Sequence, residues 1–223
     1  MLDALGVRSV LARARPEDVT GPWAEVIESF NDFAVRAHVD WPGVCTSCRV
    51  SAFSDTVIIT MEGPDYGELL QLMGRLLMFP FYMALTKMTY FRGVISKGEF
   101  EQATSSSQVQ SLIIGPAIDE AAEWYEQANW IGITASPSAS LIMDIMTYQG
   151  QDLSETFVKY DVPMRSGGTE SCWALAWPRA ALEAKGDAVS AKIAVLTAFA
   201  GGPIGVAAAP KYQQTLRFFD FVV

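Results

Sequence analysis

Two aspartates in apolar, strand-like surroundings are the first residues of this sequence that could do chemistry. Asp3 sits in "LDALG", at the end of a short apolar run that a Gly turn closes. Asp55 interrupts "AFSDTVIIT", where Phe53, Val57, Ile58 and Ile59 call for a core. A carboxylate among such neighbours must be solvated, hydrogen-bonded or held for a purpose, because an unpaired buried charge is costly. Two carboxylates at the ends of neighbouring strands can hold two divalent ions against a triphosphate. The Gly turn after Asp3 lets main-chain N–H groups and a helix N-terminus approach phosphate oxygens. By type and spacing alone, both residues also read as ordinary turn aspartates.

Cysteine is the other candidate chemistry. Cys45 and Cys48 form "CTSC", which could be redox-active or half of a zinc site. The second half is missing, since Cys172 stands alone and His38, at a helix end, is the one histidine. Three ordinary reduced thiols are the plainer reading.

The elements that must position these residues can be read from periodicity. Residues 2–5 look like a short strand, and Trp23, Val26, Ile27, Phe30, Phe33 and Ala34 predict an amphipathic helix over 22–38. "RVSAF" and "TVIITME" form a hairpin around "SD". A long apolar helix follows, with Pro64 at its first position and a break or kink at Pro80. Then come the strand "YFRGVIS", a strand "SLII" running into a helix from about Pro116, the strand "IGITAS" and the helix "PSASLIMDIMTY". A strand pair, "ETFVKYDVP" and "SCWALAWP", precedes two C-terminal helices with an apolar link. This order fits an α+β fold, a mostly antiparallel sheet covered by helices, better than a doubly wound parallel one. With no repeat and no low-complexity linker, residues 1–223 read as one domain, with a core to about residue 180 and a helical extension over about 181–223.

The 223 residues, half of them hydrophobic and 18% charged, suit a globular chain with a sizeable core. The net charge of −9 argues against a nucleic-acid partner, which needs a basic face. An acidic small substrate would need local Lys, Arg, metal ions or helix N-termini. "AKIAVLTAFAGGPIGVAAA" carries Lys192 and a Gly-Gly-Pro break, so no membrane span is expected, and with no apolar leader a cytoplasmic location is expected.

"LDALG", "FSDTVII", "FRGVISKGEF" and "IGPAIDEAAEWYEQANW", in this order, resemble class III nucleotidyl cyclases, and more closely the bacterial pyrimidine cyclases of Pycsar anti-phage defence. "YDVPMRSGG…WALAWP" resembles that family's late strand pair; the similarity covers about residues 1–180. The resemblance implies a ferredoxin-like cyclase core and a homodimer with a site shared between subunits. It places two Mn²⁺ or Mg²⁺ ions on Asp3, Asp55 and Ala4. Asp55 would lie exposed at a sheet edge, facing the partner subunit. Arg92 matches the family's strand arginine and would serve triphosphate or structure. Gly6, Arg8 and Lys97 would lie near the phosphates, and Arg49, six residues before Asp55, would read the base. Both carboxylates would stand at strand ends, where truncation to Ala leaves the fold intact.

The implied reaction turns a pyrimidine nucleoside triphosphate, UTP before CTP, into a 3′,5′-cyclic nucleotide and pyrophosphate. Phage infection would trigger it, and a separate effector protein would bind the product. Arg49 only donates hydrogen bonds, which favours the two carbonyls of uracil over the amine of cytosine. The sequence departs from purine cyclases where their Asn-x-x-x-Arg pair falls on Asp119 and Glu123, and where their purine-selecting Asp falls on Leu112. These losses fit a pyrimidine cyclase and also fit an inactive, nucleotide-holding module. Asp3 has two residues before it, which leaves open an upstream start codon or a truncated strand.

Overall fold

The computed structural model describes residues 1–5, 16–53, 55–104, 111–201 and 208–223. Strand β1 (Leu2–Leu5) is followed by helix α1 (Pro16–Asp40), the hairpin β2 (Ser47–Phe53) and β3 (Thr56–Glu62), helix α2 (Tyr66–Thr86) and strand β4 (Tyr90–Ile95). Their order in the sheet is β2-β3-β1-β4, with each of these neighbouring pairs antiparallel. This is the split β-α-β arrangement of ferredoxin-like folds, as the sequence led us to expect. Strand β7 (Gly132–Ala135) extends the sheet parallel to β4, and the hairpin β8 (Phe157–Pro163) and β9 (Thr169–Leu175) completes seven strands in the order β2-β3-β1-β4-β7-β9-β8.

Helix α1 starts earlier than its apolar spacing suggested. Val26, Phe30, Phe33 and Ala37 form its buried stripe, and Trp23 and Phe30 pack on Phe91 of β4. Helix α2 is capped by Asp65, whose carboxylate accepts from the Glu68 N–H at 3.0 Å; the helix therefore begins at Tyr66, after the cap, and not at Pro64. It also runs through Pro80 to Thr86 without the break expected there. Tertiary packing against α1, α4 (Pro137–Tyr148), α5 (Pro178–Lys185) and α6 (Ala188–Gly201) overrides the proline's cost. By length and composition α2 is the one described helix that could cross a membrane, yet most of it is buried in the core.

A short second sheet, β5 (Glu101–Thr104) with β6 (Ser111–Ile114), lies outside the main one. The charged, polar character of "EFEQAT" hid β5 from the periodicity reading. Gly115 then starts helix α3 (Pro116–Gln127) at φ 140°, and a Cβ there would lie 2.6 Å from the Glu99 carbonyl oxygen. Helix α7 (Ala209–Val222) closes the chain against β8 and the segment after α3. Thr215 Oγ1 accepts from the Ile131 N–H at 3.0 Å, and Phe218 packs edge-on against Trp130 at 4.7 Å.

Alternation along the central strands separates two environments. Leu2, Ala4 and Phe91 point into the core under α1 and α2. Asp3 and Arg92, paired in register, point to the other face, toward α3.

Gly115→Ala places a side chain in a backbone conformation it rarely adopts and against fixed main chain. A loss of about 1–3 kcal/mol is expected, read as a lower urea midpoint. An unchanged midpoint would contradict this account of how α3 is seated.

Candidate active site

Strand β1 is flanked on both sides. Asp3 stands opposite Thr56 of β3 and opposite Arg92 of β4. One residue further on, the Ala4 N–H donates to the Asp55 carbonyl at 2.7 Å, which ties the hairpin turn to β1. The Asp55 turn is thus tied to β1 one residue along from Asp3. Asp3 is the second residue of a four-residue strand, not its end. Asp55 is also not an exposed edge residue. The edge strand is β2, and Asp55 is only 7% exposed because β1 covers its turn.

Arg92 is the best-buried charge of the group. Its side chain is 5% exposed; Nη2 donates to Asp3 Oδ2 at 3.1 Å, and Nη1 reaches the Ala128 carbonyl at 3.4 Å. The guanidinium lies 4.9 Å from the ring centroid of Tyr125 on α3. Nε is buried without a partner. Burial and the positive charge of Arg165 hold the guanidinium below its usual range, against the pull of Asp3. Burial raises the Tyr125 hydroxyl, and Asp3, Glu126 and Asp55 push it the same way, against Arg92. Tyr125 therefore senses both aspartates. Arg92 thus contacts Asp3 of its own chain.

The other expected residues scatter. Gly6 and Arg8 lie outside the described residues. Ala4 is buried, and its side chain faces the core. Arg49 is exposed on the edge strand β2, opposite Thr60. Lys97 does not join the carboxylates. It lies beyond the end of β4 remote from Asp55, roughly 15 Å along the chain from Arg92, with Nζ 4.6 Å from the Tyr66 ring centroid. Its main chain exchanges hydrogen bonds with the Ser138 hydroxyl, which also meets the Glu120 carboxylate. Lys97 and Arg92 share the segment "FRGVISKGEF", yet β4 ends at Ile95 and carries Lys97 away from Asp3. Asp119 and Glu123 lie on the exposed face of α3.

Three residues that the sequence did not single out complete the surroundings. Tyr125 comes from α3, Arg165 from the β8–β9 turn and Lys211 from the first turn of α7. Nothing in their local spacing connects them to residue 3.

The thiols take no part. Cys45, Cys48 and Cys172 are free; burial pushes Cys48 up to about 12 and Cys172 to about 11, away from the thiolate that binds metal. For a cation, Asp3, Asp55 and nearby main-chain carbonyls are hard oxygen donors, the kind that suits Mg²⁺ or Mn²⁺. Among the described residues no group of three or more His, Cys, Asp or Glu side chains gathers. A bound cation would therefore complete its shell with phosphate oxygens and water, as Mg²⁺ commonly does.

No protein-family model matches the chain, and no curated protein sequence matches it. Among solved structures it is similar to a bacterial light-regulated adenylyl cyclase, at 11% identity and a TM-score of 0.43, over 79% of this chain and 87% of that one.

The Asp3–Arg92 pair changes what truncation should do. Asp3→Ala leaves a buried guanidinium without its counter-charge, so the variant is folded but less stable. A loss of up to about 3 kcal/mol is expected, and adding Arg92→Met should restore most of it. Urea unfolding of the two variants checks this; full stability of Asp3→Ala alone would show that the pair contributes little.

Proposed function

We propose that this chain is a metal-dependent nucleotidyl cyclase that acts on a pyrimidine nucleoside triphosphate, UTP in preference to CTP, and releases a 3′,5′-cyclic nucleotide and pyrophosphate. The observation that carries the reading is the hydrogen bond from Ala4 N–H to the Asp55 carbonyl, which ties the Asp55 turn to the strand that carries Asp3. In the reaction the ribose 3′ oxygen bonds to the α-phosphorus, the bond to pyrophosphate breaks, and the hydroxyl proton is released. Divalent ions, when bound, supply Lewis-acid activation of the hydroxyl and charge stabilisation of the leaving group. Asp3 and Asp55 would hold those ions. Arg92 fixes the orientation of Asp3 through Oδ2 and leaves Oδ1 for coordination. Tyr125 covers the guanidinium and limits water around it.

Pyrimidine choice is supported by residue type. Leu112, in β6, stands where related purine cyclases carry a selecting Asp, and it offers no acceptor for an exocyclic amine. Arg49 lies on the strand leading into the Asp55 turn, roughly 20 Å along it, a span that suits an extended nucleotide. Arg49 faces outward on the edge strand, and Phe53 at the hairpin tip is 78% exposed. Both features support a homodimer in which this edge meets a second copy and Arg49 reads the base there. The anti-phage role, with a separate effector that binds the product, follows from the resemblance of the ordered motifs. Exposed Asp119 and Glu123 favour a second reading, a module that holds the nucleotide without cyclising it.

Incubation with ATP, GTP, CTP and UTP, each with Mn²⁺ or Mg²⁺, and mass detection of cyclic products separates the readings. Cyclic UMP is expected as the main product, and Asp55→Asn should lower its rate by ~10³ or more. Retention of nucleotide with no product would favour the binding module, and faster cyclic CMP formation would overturn the preference for UTP. Arg49→Ala should lower UTP turnover far more than it lowers the melting temperature; full turnover would remove Arg49 from base reading.

A further inference from the structure

Strand β1 lies between β3 and β4 but is shorter than either, four residues against seven and six. Its ladder stops at Leu2, opposite Val57 on one side and Gly93 on the other. Beyond that point, residues 58–62 of β3 and the end of β4 flank a slot in the middle of the sheet, and no described strand fills it. The slot is a cavity. Leu69, Leu70 and Met73 of α2 line it from one side of the sheet, Ala117 and Ala121 of α3 from the other, and Met1 lies at its inner end.

The main chain on both walls is set for a ladder. The Met1 amino group donates to the Val94 carbonyl at 2.7 Å, and the Val94 N–H returns a bond to the Met1 carbonyl at 2.8 Å. On β3 the Asp55 carbonyl faces β1, whereas the Glu62 carbonyl faces the other way and accepts from the Thr46 N–H at 2.8 Å. Antiparallel alternation then turns the N–H and C=O of Ile59 and Met61, and of Ser96 just past β4, into the slot. Ile59 and Met61 are only half-buried, although their strand lies inside a seven-stranded sheet. Glu62, Glu99 and Glu101, all exposed, stand around the outer mouth, which opens past Met61 and Gly98.

We propose that this slot takes an extended segment of another polypeptide by strand addition. About three apolar residues, roughly 10 Å of strand, run antiparallel to both β3 and β4, and basic residues precede them at the acidic mouth. A lipid tail or a small apolar molecule would fill the cavity but leave its walls unanswered. Only a backbone meets main-chain donors and acceptors that face inward from both sides at strand spacing. The segment runs in the direction of β1, so its N-terminal side lies at the mouth and its C-terminal side at Met1. It abuts the strand that carries Asp3, and its binding does not depend on the cyclase reading.

The test is fluorescence anisotropy of a labelled peptide, two lysines followed by four valines, titrated with the full chain. Binding is expected. N-methylation of the valine amides removes main-chain donors but keeps side chains and charge, and should weaken binding roughly tenfold or more. Two lysines followed by four serines should not bind. Hydrogen exchange of the wild-type chain then locates the peptide: the amides of Ile59, Met61 and Ser96 should gain protection when it is added. No binding, equal binding of the N-methylated or serine peptide, or unchanged exchange at these three amides overturns the proposal.

Discussion

A guanidinium with almost no water around it lies in the middle of the sheet, and the rest of the site depends on how Asp3 answers it. Placing Arg92 in β4 is expensive, because a buried charge must recover its hydration from fixed partners. Asp3 supplies the counter-charge, Ala128 a carbonyl, and Tyr125 the negative face of its ring. Each partner comes from a different segment, so the pair ties β1 and the end of α3 to β4. Because β1 lies between β4 and the β2–β3 hairpin, fixing Asp3 against Arg92 also fixes it beside the Asp55 turn.

On the proposed reading, the same carboxylate serves stability and chemistry. One oxygen of Asp3 faces Arg92, and the other is available to a cation that Asp55 would share. Positive charge around this pair is unevenly satisfied. Asp3 compensates Arg92, while burial and the charge of Arg165 hold the guanidinium below its usual range. The chain's acidic net charge does not by itself oppose an anionic substrate, since local cations set the field such a ligand would meet.

Much of the architecture was legible in the sequence because the central strands and helices bury regular stripes. Leu2 and Ala4 around Asp3, and Val26, Phe30 and Phe33 along α1, are period-two and period-3.6 signals that the packed structure keeps. The hairpin at residues 54–55 followed from a polar pair between two β-rich runs, and its closing pair is Phe53 with Thr56. Pro80 misled because local propensity counts for less than the packing of α2 against four other helices. The two aspartates were legible as candidates, but the burial of Asp55 was not: whether a turn is covered depends on which strand pairs beside it, a long-range fact. Lys97 failed for a related reason, since proximity to Arg92 in sequence becomes distance along an extended strand. Tyr125, Arg165 and Lys211 were invisible, as only the docking of α3, the β8–β9 turn and α7 assembles them.

The central claim is that Asp3 and Asp55 jointly hold a divalent cation. Titration of the full chain with Mn²⁺, followed by electron paramagnetic resonance in the presence of a non-cleavable UTP analogue, tests it without relying on turnover. The account predicts bound Mn²⁺ in the wild type and its loss in both Asp3→Asn and Asp55→Asn, with each variant still folded. Mn²⁺ binding that is unchanged in either variant would contradict it.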